Sequence, residues 1–370
     1  MNNIVAVRQC EEYDVQDVFS IISNIYEKCD GPAVKDKKVL LKPNILTDSN
    51  PDKCICTHPV VVEAMVKYLQ LKGATVFVGD SPAVHLRGFK GEKSGIRQVC
   101  EKTGAIWVDF MKNPVEKKLK KGKIKIASIV NEVDLIISLP KLKNHELVYF
   151  TGAIKNTLGL VPGFSKAKQH AYHQDRNEFC AFLVELNEII TPHFFLMDGI
   201  KGMEGQGPGQ GTPVQTGVLI GSSNPVALDI IASSIAGYDP LDIPATAIAL
   251  AAKRWLESKD EILYDGPELS TLIKSDFKRI PVNKSLNIAV RFMITRIRFF
   301  RKIEKRPVFL HEKCIGCGEC IKICPVNAII LHPSKTNTVV LTDNKCIRCF
   351  CCSEVCQSNA IEIRRKFFGE

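Results

Sequence analysis

Two copies of one cysteine pattern near the C-terminus constrain this chain more than any other feature. Each copy has the spacing C-x2-C-x2-C-x3-C, and the eight cysteines are Cys314, Cys317, Cys320, Cys324, Cys346, Cys349, Cys352 and Cys356. Three cysteines on one short loop can bind three irons of a 4Fe-4S cube, and a fourth thiolate completes the ligand set. Zinc sites prefer paired cysteines and four ligands per ion, so a third close cysteine favours iron–sulfur clusters over zinc.

The residues around the cysteines repeat as well. Asn-Ala-Ile follows the fourth cysteine in both copies, at positions 327–329 and 359–361. This repetition indicates one duplicated unit with a pseudo-two-fold axis. Gly316 and Gly318 of the first copy are replaced by Arg348 and Phe350 in the second. The second copy also contains Cys351, which breaks the ligand spacing and is predicted not to bind iron.

The segment over about residues 307–370 resembles the two-cluster ferredoxin domains. In such domains the fourth cysteine of each run binds the other cluster. The resemblance implies two 4Fe-4S clusters. One would take Cys314, Cys317, Cys320 and Cys356, and the other would take Cys346, Cys349, Cys352 and Cys324.

Length and composition narrow the class of protein. A chain of 370 residues is expected to form about two or three domains. There is no run of 18 apolar residues, so no transmembrane helix is predicted, and the first residues resemble a strand rather than a signal peptide. Fifteen cysteines without a signal peptide indicate the reducing cytoplasm rather than a disulfide framework.

The net charge of +10 is concentrated in one stretch. Residues 278–306 contain ten Lys and Arg, and a basic amphipathic helix is predicted over about 285–303. We interpret this helix as a connector; an acidic partner, a membrane surface or nucleic acid are the alternatives. No aromatic stacking motif supports nucleic acid. A second basic stretch, residues 117–125, is predicted to be an edge hairpin that turns at Gly122.

Short apolar runs alternate with helical patterns through the first 270 residues. The runs include residues 39–41, 75–78, 135–137 and 194–196. This alternation predicts an α/β fold with a mainly parallel, doubly wound sheet. The predicted domains are an α/β domain over residues 1–275, a basic helical connector over 276–306, and a small α+β ferredoxin-like domain over 307–370.

Polar residues follow several of these runs directly. Lys42 and Asn44 follow residues 39–41, Asp80 follows residues 75–78, Lys141 follows residues 135–137, and Asp198 follows residues 194–196. Because the carboxyl ends of strands line the ligand crevice in open α/β sheets, these residues are predicted to form one site.

The chain up to about residue 255 resembles the domain-of-unknown-function 362 family. The stretches that carry the resemblance are residues 42–44, 79–81, 139–145, 151–156, 204–208 and 224–229. Members of this family often carry a C-terminal ferredoxin module. The resemblance supports the architecture more than any particular reaction.

The predicted crevice is rich in lysine. Lys42, Lys141, Lys143 and Lys155 are predicted to converge there with His145. Such a set suits an anionic ligand that carries phosphate or carboxylate, although lysines at strand ends can also be solvated. The predicted catalytic residues are Lys141, His145 and Asp80, and the predicted binding residues are Lys42, Asn44, Lys143, Lys155, Gly205 and Gly207.

Several of these residues have structural interpretations as well. Asp80 and Asp198 could pair with lysines, bind a metal, transfer protons or cap turns. His145 could be a ligand, a general acid or a structural residue. The glycines at 205 and 207 belong to a loop that could hold an anion, act as a lid or simply be flexible. Cys54, Cys56 and His58 lack a visible fourth ligand for a metal.

We interpret the whole chain as an iron–sulfur oxidoreductase. In this hypothesis the clusters exchange electrons with a redox partner protein and with a small anionic substrate or cofactor in the crevice. The first alternative is a non-enzymatic electron carrier or cluster-delivery protein. The second is a nucleic-acid-binding protein with structural clusters. The substrate, the direction of electron flow and the oligomeric state are left open by the sequence.

Overall fold

A computed structural model describes residues 2–82, 91–282, 305–333 and 338–365 of the chain. The basic helix predicted over about residues 285–303 lies outside this described part. Residues 2–82 and 91–282 are called the large domain below, and residues 305–333 and 338–365 are called the C-terminal module.

The large domain is built on a ten-stranded sheet within its described residues. Eight strands follow one another in the order β12-β1-β11-β10-β7-β2-β3-β4, and β8 and β9 extend it beside β10. The pairs within β10-β7-β2-β3-β4 are parallel, as are β1–β12 and β8–β10. The strands are β1 (Ile4–Gln9), β2 (Lys38–Pro43), β3 (Thr75–Val78), β4 (Ile106–Trp107), β7 (Leu135–Leu139), β8 (Lys141–His145), β9 (Tyr149–Thr151), β10 (Phe194–Glu204), β11 (Thr212–Ser222) and β12 (Leu263–Asp265).

Both faces of the sheet are covered, as the apolar strand runs predict. Side chains alternate between the two faces of a strand, and all three central residues of β2 are buried. Leu40 packs into the core on one face, whereas Val39 and Leu41 pack into the core on the other. This arrangement confirms the predicted mainly parallel α/β fold.

Helices form the two outer layers. They are α1 (Val15–Lys28), α2 (Pro59–Leu71), α3 (Ile96–Thr103), α4 (Ala153–Asn156), α5 (Phe164–Tyr172), α6 (Arg176–Ile190), α7 (Pro225–Ile235), α8 (Pro244–Ala251) and α9 (Leu269–Leu272). The N-terminal cap of α2 is His58, whose Nδ1 accepts a hydrogen bond from the Val60 amide. The hydroxyl of the preceding residue, Thr57, donates to the Leu139 carbonyl at 2.6 Å and accepts from the Asn44 amide at 2.8 Å.

Residues 141–145 directly follow β7, as predicted for Lys141, but they form a further strand, β8. Every residue of that strand is buried. Strand β8 pairs with β10 and with β9. The predicted basic hairpin is present as β5 (Val115–Lys118) and β6 (Lys123–Ile126), which are antiparallel.

The C-terminal module contains two small antiparallel sheets and two short helices in its described residues. The sheets pair β13 (Arg306–Phe309) with β16 (Ile361–Arg364) and β14 (Ile329–Leu331) with β15 (Val339–Leu341). The helices are α10 (Glu319–Ile323) and α11 (Cys351–Glu354).

The backbone of the module repeats as its cysteines do. Gly316 and Gly318 have φ angles of 68° and 74°, and Arg348 and Phe350 of the second copy have φ angles of 58° and 63°. The second copy therefore keeps the left-handed conformation without glycine, at a cost of about 1 kcal/mol or more per residue. No helix among the described residues is long and apolar enough to cross a membrane.

Candidate functional site

Helix α4 carries two residues of the candidate site, Lys155 and Asn156. The buried carboxylate of Asp229 accepts hydrogen bonds from the Ala153 amide at 2.6 Å and the Ile154 amide at 3.1 Å. These bonds satisfy free amides at the first turn of α4 and so hold the helix in place. Burial raises the pKa of Asp229 to about 7.

Lys42 and Asp80 form a buried ion pair at the ends of neighbouring strands. The Lys42 Nζ atom lies 3.0 Å from Asp80 Oδ1, and both side chains are almost fully buried. The same ammonium donates to the Pro43 carbonyl and to Asn156 Oδ1, each at 2.8 Å. Burial lowers the pKa of Lys42, and the Asp80 carboxylate opposes that shift. The charge of Lys42 is therefore already compensated within the protein.

Lys141 is also in an internal ion pair. Its Nζ atom donates to Asp198 Oδ2 at 2.7 Å and to the Tyr13 hydroxyl at 2.9 Å. The Lys141 and Asp198 side chains are both fully buried. The second Asp198 oxygen accepts a hydrogen bond from the Tyr13 hydroxyl at 3.0 Å, which closes the network.

Lys143 has carbonyl partners instead of a carboxylate. It donates to Asn44 Oδ1 at 2.8 Å and to the Ile55 carbonyl at 2.6 Å. Burial lowers the pKa of Lys143 to about 7. The amide nitrogen of Asn44 donates to Asn156 Oδ1 at 3.1 Å, so Asn44 joins Lys143 to the group around Lys42.

His145 lies at the end of β8 and faces the C-terminal module. Its Nδ1 atom accepts a hydrogen bond from the Leu147 amide at 3.1 Å, which places the ring proton on Nε2. That Nε2 atom lies 3.3 Å from Glu354 Oε1 of the module, but neither atom has a partner with hydrogen-bond geometry. Burial lowers the pKa of His145 to about 4, so the ring is neutral at pH 7.

The glycine-rich loop between β10 and β11 contacts the module. Its amides at Gly205 and Gly207 already donate within the large domain, to the Lys278 and Gly205 carbonyls. Gln210 of the same loop donates to the Ser353 carbonyl of the module at 3.0 Å. A methyl group on Gly209 would lie 3.3 Å from the Glu354 carbonyl oxygen, so the two backbones pass close together.

A small apolar cluster and an ion pair complete this interface. Ala167 of α5 is buried with Ile323, Cys351 and Val355 of the module, and Leu46 packs against them. Lys305 lies 2.8 Å from the buried carboxylate of Glu146. These contacts place Cys351 and Val355 of the second cysteine run beside the large domain, together with Ile323 of the first run.

A cavity of about 50 Å³ lies at this interface. Its walls come from both parts of the chain and include Lys42, Asn44, Asp80, Lys155, Asn156, Lys166, His170, Ile323, Cys351 and Glu354. Of the predicted site residues, Lys42, Asn44, Asp80 and Lys155 thus come together. Lys141, Lys143, His145, Gly205 and Gly207 lie outside the cavity lining.

The lining has polar groups without protein partners. Among the described residues, Lys155 has no hydrogen-bond or ion-pair partner. His170 is 5% exposed, and its Nδ1 atom is buried without a hydrogen bond. Lys166 donates only to backbone carbonyls, those of Ser81 and Pro82. Lys155 and Lys166 are half-buried, whereas His170 is buried. A buried polar group without a partner costs about 1–3 kcal/mol, so His170 and the unpartnered Lys155 favour a polar occupant.

Burial and charge set the protonation states in the cavity. Burial lowers the pKa of Lys166 to about 8, against the opposing effect of Asp80, and burial lowers the pKa of His170 to about 3. Burial alone would raise the pKa of Glu354, but His145, Lys155 and His170 lower it to about 2. Lys155 also has a lowered pKa because it is buried.

The cysteines of the module lie close to one another. Burial raises the pKa of Cys320 to about 12, and the nearby thiols of Cys317, Cys356 and Cys314 add to that effect. Burial also raises the pKa of Cys352, and the thiols of Cys349, Cys346, Cys320 and Cys324 add to that effect. Six of the eight predicted ligands pack in one cluster, namely Cys314, Cys320, Cys324, Cys346, Cys352 and Cys356.

Backbone amides point at the sulfurs in both copies. The Ala328 amide lies 3.1 Å from Cys324 Sγ, and the Ala360 amide lies 3.2 Å from Cys356 Sγ. Hydrogen bonds of this kind stabilise cluster thiolates and tune their potential. The donor set and its amides therefore fit 4Fe-4S clusters.

Three further cysteines are not among the eight predicted ligands. Cys351 is buried in the interface cluster with Ala167, and the predicted ligand Cys349 packs against the same cluster. The thiols of Cys54 and Cys56 donate to the backbone carbonyls of Asp52 and Thr47, at 3.8 Å and 3.1 Å. Within the described ranges, no three His, Cys, Asp or Glu side chains are placed to hold a single metal ion.

Sequence reasoning missed three lining residues, namely Lys166, His170 and Glu354. Lys166 and His170 lie four positions apart on α5, which puts them on one face of that helix. That spacing was a usable signal. Glu354 lies within the second cysteine run, and no local pattern indicates that it faces another domain.

Comparisons with known proteins agree with this architecture. The fold and the cysteine sets define an α/β protein joined to a 4Fe-4S dicluster domain, and the profile of that domain matches residues 313–360. The profile described as domain of unknown function (DUF362) matches residues 39–234, more than half of the chain. The chain therefore belongs to the DUF362 family.

Two curated relatives are similar in sequence. A thylakoid-associated protein of Synechocystis is 32% identical over 248 residues, which cover 66% of this chain and 77% of that protein. A polyferredoxin-like protein of Methanocaldococcus jannaschii is 43% identical over 49 residues, which cover 13% of this chain and 30% of that protein. Together with the dicluster domain, this second likeness supports an iron–sulfur electron-carrier role.

Two solved structures align with part of this chain. The lactate racemase apoprotein from Thermoanaerobacterium thermosaccharolyticum is 14% identical with a TM-score of 0.41, and the match covers 64% of this chain and 57% of that one. A structural-genomics protein from Thermotoga maritima is 12% identical with a TM-score of 0.37, and the match covers 67% and 61%. The chain thus spans less than two thirds of either solved protein.

Proposed function

We propose that this protein is an iron–sulfur oxidoreductase that acts on a small anionic substrate or cofactor in the cavity between its two parts. The observation that carries the proposal is the position of that cavity. Lysines of the large domain form one wall, and residues beside the second cysteine run form the other. Lys155 and Lys166 are not paired with a carboxylate among the described residues, so they are available for an anion.

The proposal includes two 4Fe-4S clusters with crossed ligands. Cys314, Cys317, Cys320 and Cys356 would hold one, and Cys346, Cys349, Cys352 and Cys324 would hold the other. Bound there, the clusters would supply or accept electrons one at a time. The chain's own residues would bind the anion, exclude water and hold it beside Cys351, next in sequence to Cys352.

The cavity favours an enzyme over a simple carrier. An electron carrier needs an exposed face for its partner, but it needs no enclosed site with uncompensated lysines. In this proposal Lys155 and Lys166 bind the anion directly. Lys42, Asn44 and Asn156 form a bonded group that fixes the cavity wall. His170 faces the same space as a neutral ring.

The test uses anaerobically prepared full-length protein. We would measure binding of acetate, phosphate and other small anions by isothermal titration calorimetry, and follow cluster absorbance when each ligand is added to reduced or oxidised protein. Lys155→Met should weaken binding of a bound anion about tenfold by removing one charge-assisted interaction. Cluster absorbance of the variant without ligand should be unchanged.

Lys168→Met is the matched control for this experiment. Lys168 lies on the same helix as Lys166 but is exposed. Equal affinities of the parent and the Lys155→Met protein for every anion would refute the binding site. A lysine-dependent anion that never exchanges electrons with the clusters, with or without an added carrier, would favour the non-enzymatic alternative.

A further inference from the structure

We infer that the ligand of the cavity is a small monoanion that also donates an O–H or N–H hydrogen bond, and that Glu354 of the C-terminal module selects it. This inference rests on the proposed function, because it concerns the same cavity. It adds a chemical class for the ligand and assigns specificity to a residue outside the large domain.

The first step is the unsatisfied carboxylate of Glu354. Its side chain is 9% exposed, and its Oε1 atom is buried without a hydrogen bond. The nearest donor, His145 Nε2, is 3.3 Å away but lacks hydrogen-bond geometry. A buried acceptor without a donor is costly, and more so when it is charged. Glu354 also lines the cavity, so a ligand there can donate a hydrogen bond to its carboxylate group and reduce that cost.

The second step is the charge of the lining. Lys42 and Asp80 compensate each other at 3.0 Å. Among the described lining residues, this leaves the amines of Lys155 and Lys166 and the carboxylate of Glu354. With both amines protonated and Glu354 ionised, these three groups carry one positive charge, which a single negative charge on the ligand would balance. A ligand with two or more negative charges would place an uncompensated negative charge beside the Glu354 carboxylate. The repulsion between the two would disfavour binding.

The third step is size and polarity. A cavity of about 50 Å³ has space for a few water molecules or a small organic anion, but not for a nucleotide. The buried and unpartnered Nδ1 atom of His170 provides a further polar contact. Small hydroxylated carboxylates satisfy all three conditions, since the carboxylate can face the lysines and the hydroxyl can face Glu354.

The module therefore completes the site as well as carrying the cysteines. Glu354 lies two residues from Cys352 and two from Cys356, which belong to different predicted ligand sets. The hydrogen bond from Gln210 to the Ser353 carbonyl holds this segment against the large domain. A ligand that donates a hydrogen bond to the Glu354 carboxylate is thus held at the segment of the module that carries the cysteines.

The test compares three carboxylates of similar size in the parent protein. Glycolate has a hydroxyl donor, methoxyacetate has the same oxygen without the donor, and acetate has neither. Glycolate should bind about tenfold tighter than methoxyacetate or acetate, because a hydrogen bond to a buried charged group contributes at least that much. This comparison needs no variant and is measured by calorimetry at pH 7.

Glu354→Met provides the second measurement, with Glu312→Met as control at an exposed position of the same module. The variant should lose the preference for glycolate and bind acetate tighter than the parent does, because a repulsive charge is gone. A merely structural role of Glu354 would weaken binding of all three ligands together, and that result would overturn the inference.

The outcomes separate this inference from the proposed function. Equal binding of the three carboxylates by the parent, abolished in each case by Lys155→Met, would reject the selection by Glu354 and leave the anion site intact. Binding that is independent of Lys155 would reject the site itself. A tenfold preference for glycolate that disappears in Glu354→Met supports both.

Discussion

The carboxylate of Asp229 occupies the space that a side chain on Gly152 would need. A methyl group on Gly152 would lie 2.0 Å from Asp229 Oδ1. The two residues are far apart in sequence, yet their contact places the first turn of α4 over the carboxylate that caps it. The position of Lys155 therefore depends on a residue of α7.

Asp229→Ala should disturb both stability and ligand binding. We expect the free energy of unfolding to fall by about 1–3 kcal/mol, because two buried amides lose their acceptor. Anion affinity should fall as well, since α4 carries Lys155. Asp14→Ala, which removes the cap of α1, is the control: it should cost about 1 kcal/mol and leave affinity unchanged. Denaturant unfolding and calorimetry measure the two effects.

Anion binding should weaken as the pH rises through about 8. The pKa of Lys166 is lowered to about 8, mainly by burial and also by Lys42 and Lys155, whereas Asp80 and Glu354 oppose the shift. The ammonium form binds the anion, so binding is strong below pH 8 and is lost above it. In Lys166→Met the decline centred near pH 8 should disappear, and in Lys168→Met it should persist. Affinities measured from about pH 6.5 to about pH 9.5 decide between these outcomes.

Lys141→Met should act on folding more than on ligand binding. The change leaves the fully buried carboxylate of Asp198 without its cation, which typically costs about 3–5 kcal/mol. Tyr13→Phe removes only one hydroxyl from the same network and should cost about 1 kcal/mol. Thermal and denaturant unfolding measure both variants. Unchanged stability of Lys141→Met together with lost anion binding would restore Lys141 to the site.

Cys349→Ala and Cys351→Ser should have different iron contents. The parent is expected to contain about eight irons per chain when prepared anaerobically. Cys349→Ala should lose or convert one cluster, whereas Cys351→Ser should keep the full iron content, because Cys351 breaks the ligand spacing that Cys349 and Cys352 satisfy. Iron analysis and electron paramagnetic resonance of the reduced proteins provide the readout. Loss of a cluster in Cys351→Ser alone would show that the ligand register is misassigned.

Local patterns in the sequence predicted the sheet because its strands are buried on both faces. Val39, Leu40 and Leu41 form a continuous apolar run, and such a run in an α/β chain is typical of a parallel strand with helices on both sides. Lys42 and Asp80 each follow a strand, and they were expected to lie together for that reason. They do so because β2 and β3 are adjacent and parallel. The spacing of the cysteines similarly predicts an iron–sulfur domain, which the dicluster profile bears out.

The balance of charges in the site could not be predicted in this way. Whether a lysine is available depends on its partner, and Asp198 compensates Lys141 from another strand. No local pattern indicated that residues 141–145 would form a strand between β10 and β9. Glu354 lines the cavity only because the module packs against the large domain. That packing depends on the surfaces of both parts, which a local sequence pattern does not describe.

A cavity with one wall from each part of the chain couples ligand binding to docking. A molecule bound between Lys155 and Glu354 would contact both walls at once, so it would favour the docked arrangement over one in which the module is released. By mass action the ratio of docked to released chains would rise by the factor 1 + [L]/Kd, which is about a hundredfold when the ligand is present at about 100 times its Kd. The concentration of a small metabolite would then set how often the cysteine-rich module lies against the large domain.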